Sequence, residues 1–125
     1  MRKTIKTDDA PKALGPYSQG VSVDGFCFVS MELGIDPQIG KITAMGVKDE
    51  AKQVIKNVEN ILKAAGFGLA DVVKTTLYLS DLSYFKSVNE IYGLFFNNEP
   101  PARAAVVTNL PLNAKVALDA IAYKK

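Results

Sequence analysis

Arg103 is the residue of this chain whose side-chain chemistry is most distinctive. The 125 residues include 15 lysines and arginines, but only Arg2 and Arg103 are arginines. A planar guanidinium group can bind a carboxylate or a phosphate through two parallel hydrogen bonds, which an ammonium group cannot do. Arg103 is therefore a candidate anion-binding residue. A structural ion pair, or a surface position with a buried aliphatic stem, is the alternative that composition alone slightly favours.

The chain has no histidine, and this excludes several kinds of active site. Ser–His and Cys–His nucleophile pairs cannot form, and neither can zinc sites built on histidine. The single cysteine, Cys27, lies in the apolar segment Phe26–Val29 with no base nearby. We therefore expect Cys27 to be a small core residue.

Two further polar side chains, Tyr17 and Asn89, are candidates for lining a cleft. Tyr17 follows Gly15-Pro16 on a predicted loop, where it could face a cleft or cap the core. Asn89 interrupts the apolar face of a predicted helix, so its amide must be hydrogen-bonded if it is buried. Asn89 could brace a loop or face a partly buried cleft, and the first, structural role is favoured.

Composition predicts one soluble globular domain over residues 1–125. Apolar residues make up 48% of the chain and the net charge is +2, with no run of basic residues. The charge argues against a nucleic-acid partner, and no apolar segment is long enough for a membrane span or a signal peptide. A single cysteine suits a reducing compartment, so we expect a cytoplasmic protein.

The elements that must position these residues follow the predicted order β-ββ-α-β-α-β-β. Asp24-Gly25 between two apolar runs predicts a hairpin, and apolar residues at helical spacing predict a helix over 47–65. A β-branched strand over 72–79 and a second helix, capped by Asp81 or Ser83, follow. The segments 100–107 and 115–123 are predicted to pair with each other through a turn at Pro111.

This order indicates an α+β fold in which both helices cover one face of a sheet. The predicted strands carry apolar residues at both parities, as Val116 and Leu118 alternate with Ala117 and Ile121. A sheet covered on one side only should be polar on the other. Self-association would cover the second face, so we predict a homo-oligomer.

The chain resembles the reactive intermediate deaminase family (RidA or YjgF, also described as endoribonuclease L-PSP). The resemblance covers nearly the whole chain and rests on several segments in the expected order. These segments are Ala10-Pro11, Gly15-Pro16-Tyr17-Ser18-Gln19, Leu33-Gly34-Ile35-Asp36-Pro37, residues 57–66 and 71–76, Phe85, Val88-Asn89-Glu90, Tyr92, Pro101-Ala102-Arg103 and Leu110-Pro111.

The resemblance implies a chorismate-mutase-like fold (bacillus type), assembled as a homotrimer with clefts between adjacent subunits. It implies hydrolysis of 2-imino acids, such as 2-iminobutanoate and 2-iminopropanoate, to 2-keto acids and ammonia, without a metal or a cofactor. Arg103 would bind the substrate carboxylate as the catalytic arginine. Tyr17, Ser30, Met31 and Asn89 match positions that line the cleft.

The sequence departs from the family pattern at the chemistry. The glutamate that usually positions the attacking water aligns with Ala117, and Met31 replaces a glycine beside the cleft. The segment after Arg103 is also one residue shorter than usual. Glu32 and Asp119 are possible replacement acids; we rank no replacement first, then Glu32, then Asp119. Asp119 is on the same strand face as Ala117 but about 6–7 Å further along.

Three functions remain open from the sequence. The leading one is an imine deaminase whose activity is weakened by the missing glutamate, since positioned acid–base groups contribute about 10²–10⁴-fold. The second is a non-catalytic trimer that binds a small 2-imino or 2-keto carboxylate. The third, a ribonuclease or translation inhibitor, is disfavoured by the mild charge and the lack of an acid–base pair.

Overall fold

Two helices form where apolar side chains recur every three or four residues. In the computed structural model, which describes residues 1–125, α1 spans Val47–Ala64 and α2 spans Phe85–Phe95. Gly66 follows α1 with a φ of 85°, a left-handed conformation that terminates helices. Asp81 accepts a hydrogen bond from the Ser83 amide and begins the short helical turn that leads into α2. No helix is both long and apolar enough to cross a membrane.

Eight strands complete the fold. They are β1 Lys3–Ile5, β2 Gly20–Val23, β3 Phe26–Leu33, β4 Ile35–Asp36, β5 Lys41–Ile42, β6 Val72–Leu79, β7 Ala102–Val107 and β8 Val116–Tyr123. Six of them form one mixed sheet in the order β1-β2-β3-β8-β6-β7, while β4 and β5 form a separate hairpin. The predicted hairpin between β2 and β3 is confirmed: Asp24 and Gly25 both have positive φ, as the tight turn requires.

The predicted pairing of β7 with β8 is wrong. β8 runs antiparallel between β3 and β6, whereas β7 is parallel to β6 at the edge of the sheet. The strand–helix–strand unit formed by β6, α2 and β7 explains this placement, because such a crossover joins parallel neighbours. Most side chains of β8 are buried, as suits a central strand, and those of β7 are largely exposed.

The main core lies between the helices and one face of the sheet. Val54, Val58 and Ile61 of α1 pack with residues such as Cys27, Leu77 and Leu118 of the sheet. The prediction that Cys27 is a core residue is confirmed, and its burial raises the pKa of the thiol to about 11. Apolar burial of this kind contributes about 25 cal/mol per Å². It therefore holds both helices on a single face.

The other face of the sheet is partly open and apolar. Phe26, Phe28, Val106 and Tyr123 each expose about two-fifths of their surface. The ring of Phe26 lies 4.8 Å from that of Tyr123 and 6.0 Å from that of Phe28, measured between centroids. Exposed apolar patches of this kind mark interaction sites in soluble proteins.

Candidate active site

Arg103 is held at the edge of the sheet by contacts with α2. In the parallel register, Arg103 lies beside Thr75, whose side chain faces the helices, so the guanidinium group also points towards α2. Nη1 of Arg103 donates a hydrogen bond of 2.8 Å to Oδ1 of Asn89. The guanidinium carbon lies 4.8 Å from the centroid of the Tyr92 ring and 5.5 Å from that of Phe85. These are cation–π distances.

The positive charge of Arg103 has no acidic partner in the chain. The four ion pairs of the structure join other groups, so the structural ion pair considered from the sequence does not form. Asn89 is neutral and occupies only one of the five N–H donors of the guanidinium group. The remaining donors are available to a planar anion such as a carboxylate.

Tyr92 is fixed beneath Arg103 by a second polar contact. Its hydroxyl group lies 2.7 Å from Oγ1 of Thr75, which is fully buried. Burial raises the pKa of Tyr92, although the hydrogen bond with Thr75 and the nearby charge of Arg103 both act to lower it. Tyr92 therefore stays a neutral surface for the cation.

Tyr17 and Ser30 belong to a second group of residues around the loop 8–19. Oγ of Ser30 donates to the Ser18 carbonyl oxygen at 2.6 Å, and its amide donates to the Gln19 carbonyl oxygen. The Tyr17 hydroxyl group accepts a bond of 3.2 Å from the Leu14 amide. The tyrosine ring remains about half exposed.

Gln19 organises this loop, a role that the sequence analysis missed. Its buried amide accepts from the Thr7 amide and donates to the carbonyl oxygens of Thr7, Ala10 and Pro11. A buried amide with this many partners rigidifies the backbone around it. The position of this glutamine among the turn residues of a predicted loop was the one feature of the sequence that could have indicated this role.

Ser30 and Met31 form a β-bulge opposite Asp119. The register between β3 and β8 shifts between Val29 and Glu32, so two residues of β3 face one residue of β8. Bulges are common next to active sites because they redirect side chains. Met31 here packs against the buried apolar cluster that contains Leu33 and Ala117.

One chain does not bring all the predicted site residues together. Arg103 and Asn89 meet on β7 and α2, whereas Tyr17, Ser30 and Met31 lie around β3 and the loop before β2. Strands β8 and β6 separate β3 from β7. Three strand spacings place the two half-sites about 14 Å apart across the sheet. We call them the Arg103 half-site and the Tyr17 half-site.

Position 117 and the two acids Glu32 and Asp119 differ in their surroundings. Ala117 is fully buried in an apolar cluster with Leu33 and Ile35, so it has no acid–base function. Both oxygens of Asp119 are engaged: they accept from the Tyr78 hydroxyl group at 2.7 Å and from the Thr76 amide at 3.2 Å. The bond with Asp119 is the largest contribution that raises the pKa of Tyr78.

Glu32 is a buried carboxyl group next to Tyr17. It is 5% exposed, and burial raises its pKa to about 8. The carboxyl group of Glu32 forms no hydrogen bond and no ion pair within the chain. Every polar side-chain atom that is fully enclosed in this structure has a hydrogen-bond partner. The two carboxyl oxygens of Glu32 are therefore not fully enclosed and face accessible space. Glu32 lines a small cavity of about 20 Å³ together with Lys12, Tyr17 and Met31, among other residues.

The comparison with protein families identifies the chain. The sequence model of the family described as endoribonuclease L-PSP matches residues 7–124. The chain belongs to this family. Known proteins of the endoribonuclease L-PSP family that resemble it include the 2-iminobutanoate/2-iminopropanoate deaminase of Mus musculus. The two sequences are 49% identical over 99% of this chain and 93% of the mouse protein.

Solved structures of endoribonuclease L-PSP family relatives share the fold. RidA from the Antarctic bacterium Psychrobacter sp. superposes with a TM-score of 0.94 at 41% identity, covering 98% of this chain and 99% of that one. TdcF of E. coli, solved with bound serine, gives a TM-score of 0.94 at 38% identity over the same shares of the two chains. The resemblance to the RidA/YjgF proteins and the α+β fold with a mixed sheet and two helices are thereby confirmed.

Proposed function

We propose that the protein is a 2-iminobutanoate/2-iminopropanoate deaminase, which hydrolyses reactive 2-imino acids to 2-keto acids and ammonia. The observation that carries this proposal is the unpaired guanidinium group of Arg103, held by the neutral Asn89 over Tyr92. The mouse relative bears the name of this activity. The charge and the free donors of Arg103 suit the carboxylate that every 2-imino acid carries.

In this proposal, Arg103 binds the carboxylate and orients the neighbouring imine carbon for attack by water. Orientation alone accelerates a reaction, because it removes the entropy cost of bringing two reactants together. The attack forms a carbinolamine, and the loss of ammonia from this intermediate gives the keto acid. Neither step requires a metal ion or a redox cofactor.

We further propose a homotrimer with a chorismate-mutase-like arrangement, in which each cleft combines the two half-sites of neighbouring chains. Two observations support it. The half-sites are separated by β8 and β6 within one chain. The open sheet face also carries exposed aromatic side chains that a second copy would cover. A closed cyclic assembly joins unlike surfaces of adjacent chains.

We propose that no acid–base group acts from position 117 of β8. The family resemblance implies a glutamate at this position, where the chain has the fully buried Ala117. This same observation favours a second candidate function, the non-catalytic binding of a small carboxylate. The two candidates share Arg103 and differ only in whether the bound imine is hydrolysed faster than in solution.

The test compares keto-acid release from 2-iminobutanoate, generated in situ, with wild-type protein, Arg103→Ala and Arg103→Lys. Removing a charge-assisted pair of hydrogen bonds costs about 1.5–3 kcal/mol per bond. We therefore expect Arg103→Ala to lower kcat/KM by roughly 10²-fold or more. Arg103→Lys keeps the positive charge and loses the paired hydrogen-bond geometry, so its kcat/KM should lie between those of the wild type and Arg103→Ala. Wild-type protein that leaves the buffer rate unchanged but binds 2-oxobutanoate would refute the deaminase and support the binding function.

A further inference from the structure

The cavity beside Glu32 has the size and the lining to hold one water molecule. Its volume is about 20 Å³, and a buried water needs about 10–15 Å³ of such space. The polar residues that line it are Glu32, Tyr17 and Lys12. Three polar partners are the usual number for a buried water.

The carboxyl group of Glu32 is unusual because it is buried without a protein partner. Carboxylates are almost never fully buried unless they are paired. Structural carboxylates in this protein follow that rule: the buried Glu50 accepts hydrogen bonds from the Lys115 and Val116 amides, and Asp119 is bound by Tyr78. Glu32 therefore does not serve the same structural purpose.

We propose that Glu32 is the proton-transfer residue of the site and that it activates the attacking water in the cavity it shares with Tyr17 and Met31. This inference rests on the proposed deaminase function and on the proposed trimer, because within one chain β8 and β6 separate Glu32 from Arg103. It moves to β3 the role that the family resemblance implies for position 117 of β8. Glu32 pairs with Leu118, so its side chain faces the side of the sheet opposite to that of Ala117. Glu32 lies next to the Ser30–Met31 bulge, at the same end of β3 as the Tyr17 half-site.

The proposed step balances for the protonated imine. The water oxygen forms a bond with the imine carbon, one water proton moves to the Glu32 carboxylate, and the C=N π electrons move to nitrogen. Glu32 then returns its proton to the amine nitrogen of the carbinolamine. The C–N bond breaks, the hydroxyl proton leaves with the ammonia as ammonium, and the keto acid remains. Glu32 ends the cycle ionised, as it began.

The charges around Glu32 leave it free to exchange this proton. Lys12 and Tyr17 of the loop line the same cavity, but Lys12 is exposed and forms no ion pair with Glu32. Glu50 of α1, which contacts the neighbouring Gly34, is bound to backbone amides, and Asp119 of β8 is bound to Tyr78. Burial thus determines the proton affinity of Glu32 and raises its pKa to about 8. A catalytic group works best when its pKa is close to the working pH.

The experiment compares wild-type protein with Glu32→Gln, which keeps the shape of the side chain and removes the carboxylate that accepts and returns the proton. Glu59→Gln, on α1, is the control for the loss of one glutamate. We expect Glu32→Gln to lower kcat about 10²-fold, with little change in KM or in the affinity for 2-oxobutanoate. The rise of kcat with pH, centred near 8 in the wild type, should disappear in this variant and persist in Glu59→Gln.

The outcomes separate this inference from the proposed function. If Glu32→Gln keeps the wild-type kcat and pH profile while Arg103→Ala loses activity, the deaminase stands and the role of Glu32 is refuted. If wild-type protein does not exceed the buffer rate, the deaminase itself fails, and the inference fails with it. Circular dichroism and light scattering on each variant show whether a loss of activity reflects unfolding.

Discussion

Replacing Glu32 with glutamine should stabilise the folded protein at alkaline pH. The carboxyl group is 5% exposed, and burial raises its pKa from 4.5 to about 8. In the unfolded chain, the group ionises near its ordinary pKa, whereas the folded protein keeps it protonated until the pH approaches 8. Folding therefore becomes less favourable as the pH rises through this interval.

The size of the effect follows from the two pKa values. Each pKa unit corresponds to about 1.4 kcal/mol, so moving this carboxyl group from 4.5 to about 8 costs about 5 kcal/mol above pH 8. That cost is roughly a third or more of the 5–15 kcal/mol that typically stabilises a folded domain. The free energy of unfolding of the wild type, relative to Glu32→Gln, should fall by about 1.4 kcal/mol per pH unit between about pH 5 and 8.

The measurement is urea unfolding of both proteins at several pH values and one fixed protein concentration. The concentration must be fixed because association adds to the apparent stability. Other carboxyl groups titrate equally in both proteins, so the difference isolates Glu32. Below about pH 4.5 the two proteins should be similar in stability, and at pH 9 the variant should be clearly more stable. A difference that stays constant with pH would show that Glu32 is not a buried, unpartnered acid, and it would refute the reasoning.

Three further changes test other parts of the structure. Ala117→Glu alone should gain no deaminase activity, because Ala117 is fully buried in the apolar cluster against which Met31 packs. Adding Met31→Gly should provide space and raise kcat above that of Met31→Gly alone. A double variant no faster than Met31→Gly would contradict this account. Phe28→Lys places a charge on the open sheet face and should shift the light-scattering mass towards a monomer, whereas an unchanged mass would exclude this face from the interface. Gly34→Ala should lower the melting temperature, since a Cβ there would lie 2.8 Å from Cγ and 2.9 Å from the carbonyl oxygen of Glu50; an unchanged melting temperature would contradict this close packing.

The helices and the first hairpin were largely predictable because the sequence patterns that specify them lie within the elements themselves. The apolar stripe that predicts a helix over 47–65 corresponds to α1 at Val47–Ala64, and Asp24-Gly25 forms the turn that its type favours. The pairing of the last two strands was not predictable in the same way. Both segments are rich in valine and alanine, and periodicity does not encode which strand lies beside which. That choice depends on α2, which carries the chain across to the edge of the sheet.

The candidate site was predictable where a single residue type carries the chemistry. An isolated arginine indicated an anion site, and the structure places Asn89 at hydrogen-bonding distance from it. The environment of Glu32 could not be read from its sequence neighbours. The fold brings Pro11, Lys12, Leu14 and Tyr17 of the loop to the same cavity as Glu32, which follows the β-bulge. Contacts between segments distant in sequence decide whether an acid is paired, and no local pattern records them.

Because the half-sites are separated across the sheet, mixing two inactive variants should restore activity to the proposed trimer. Arg103 is supplied by the segment 72–107, while Glu32 and Tyr17 are supplied by residues 10–33. A chain with Arg103→Ala still carries an intact Tyr17 half-site, and a chain with Glu32→Gln still carries an intact Arg103 half-site. When the two are unfolded together and reassembled in equal amounts, about a quarter of the clefts should draw an intact half from each neighbour. Two inactive variants would thus give a partly active mixture. Each active cleft would lie between two chains, neither of which forms an active cleft with a copy of itself.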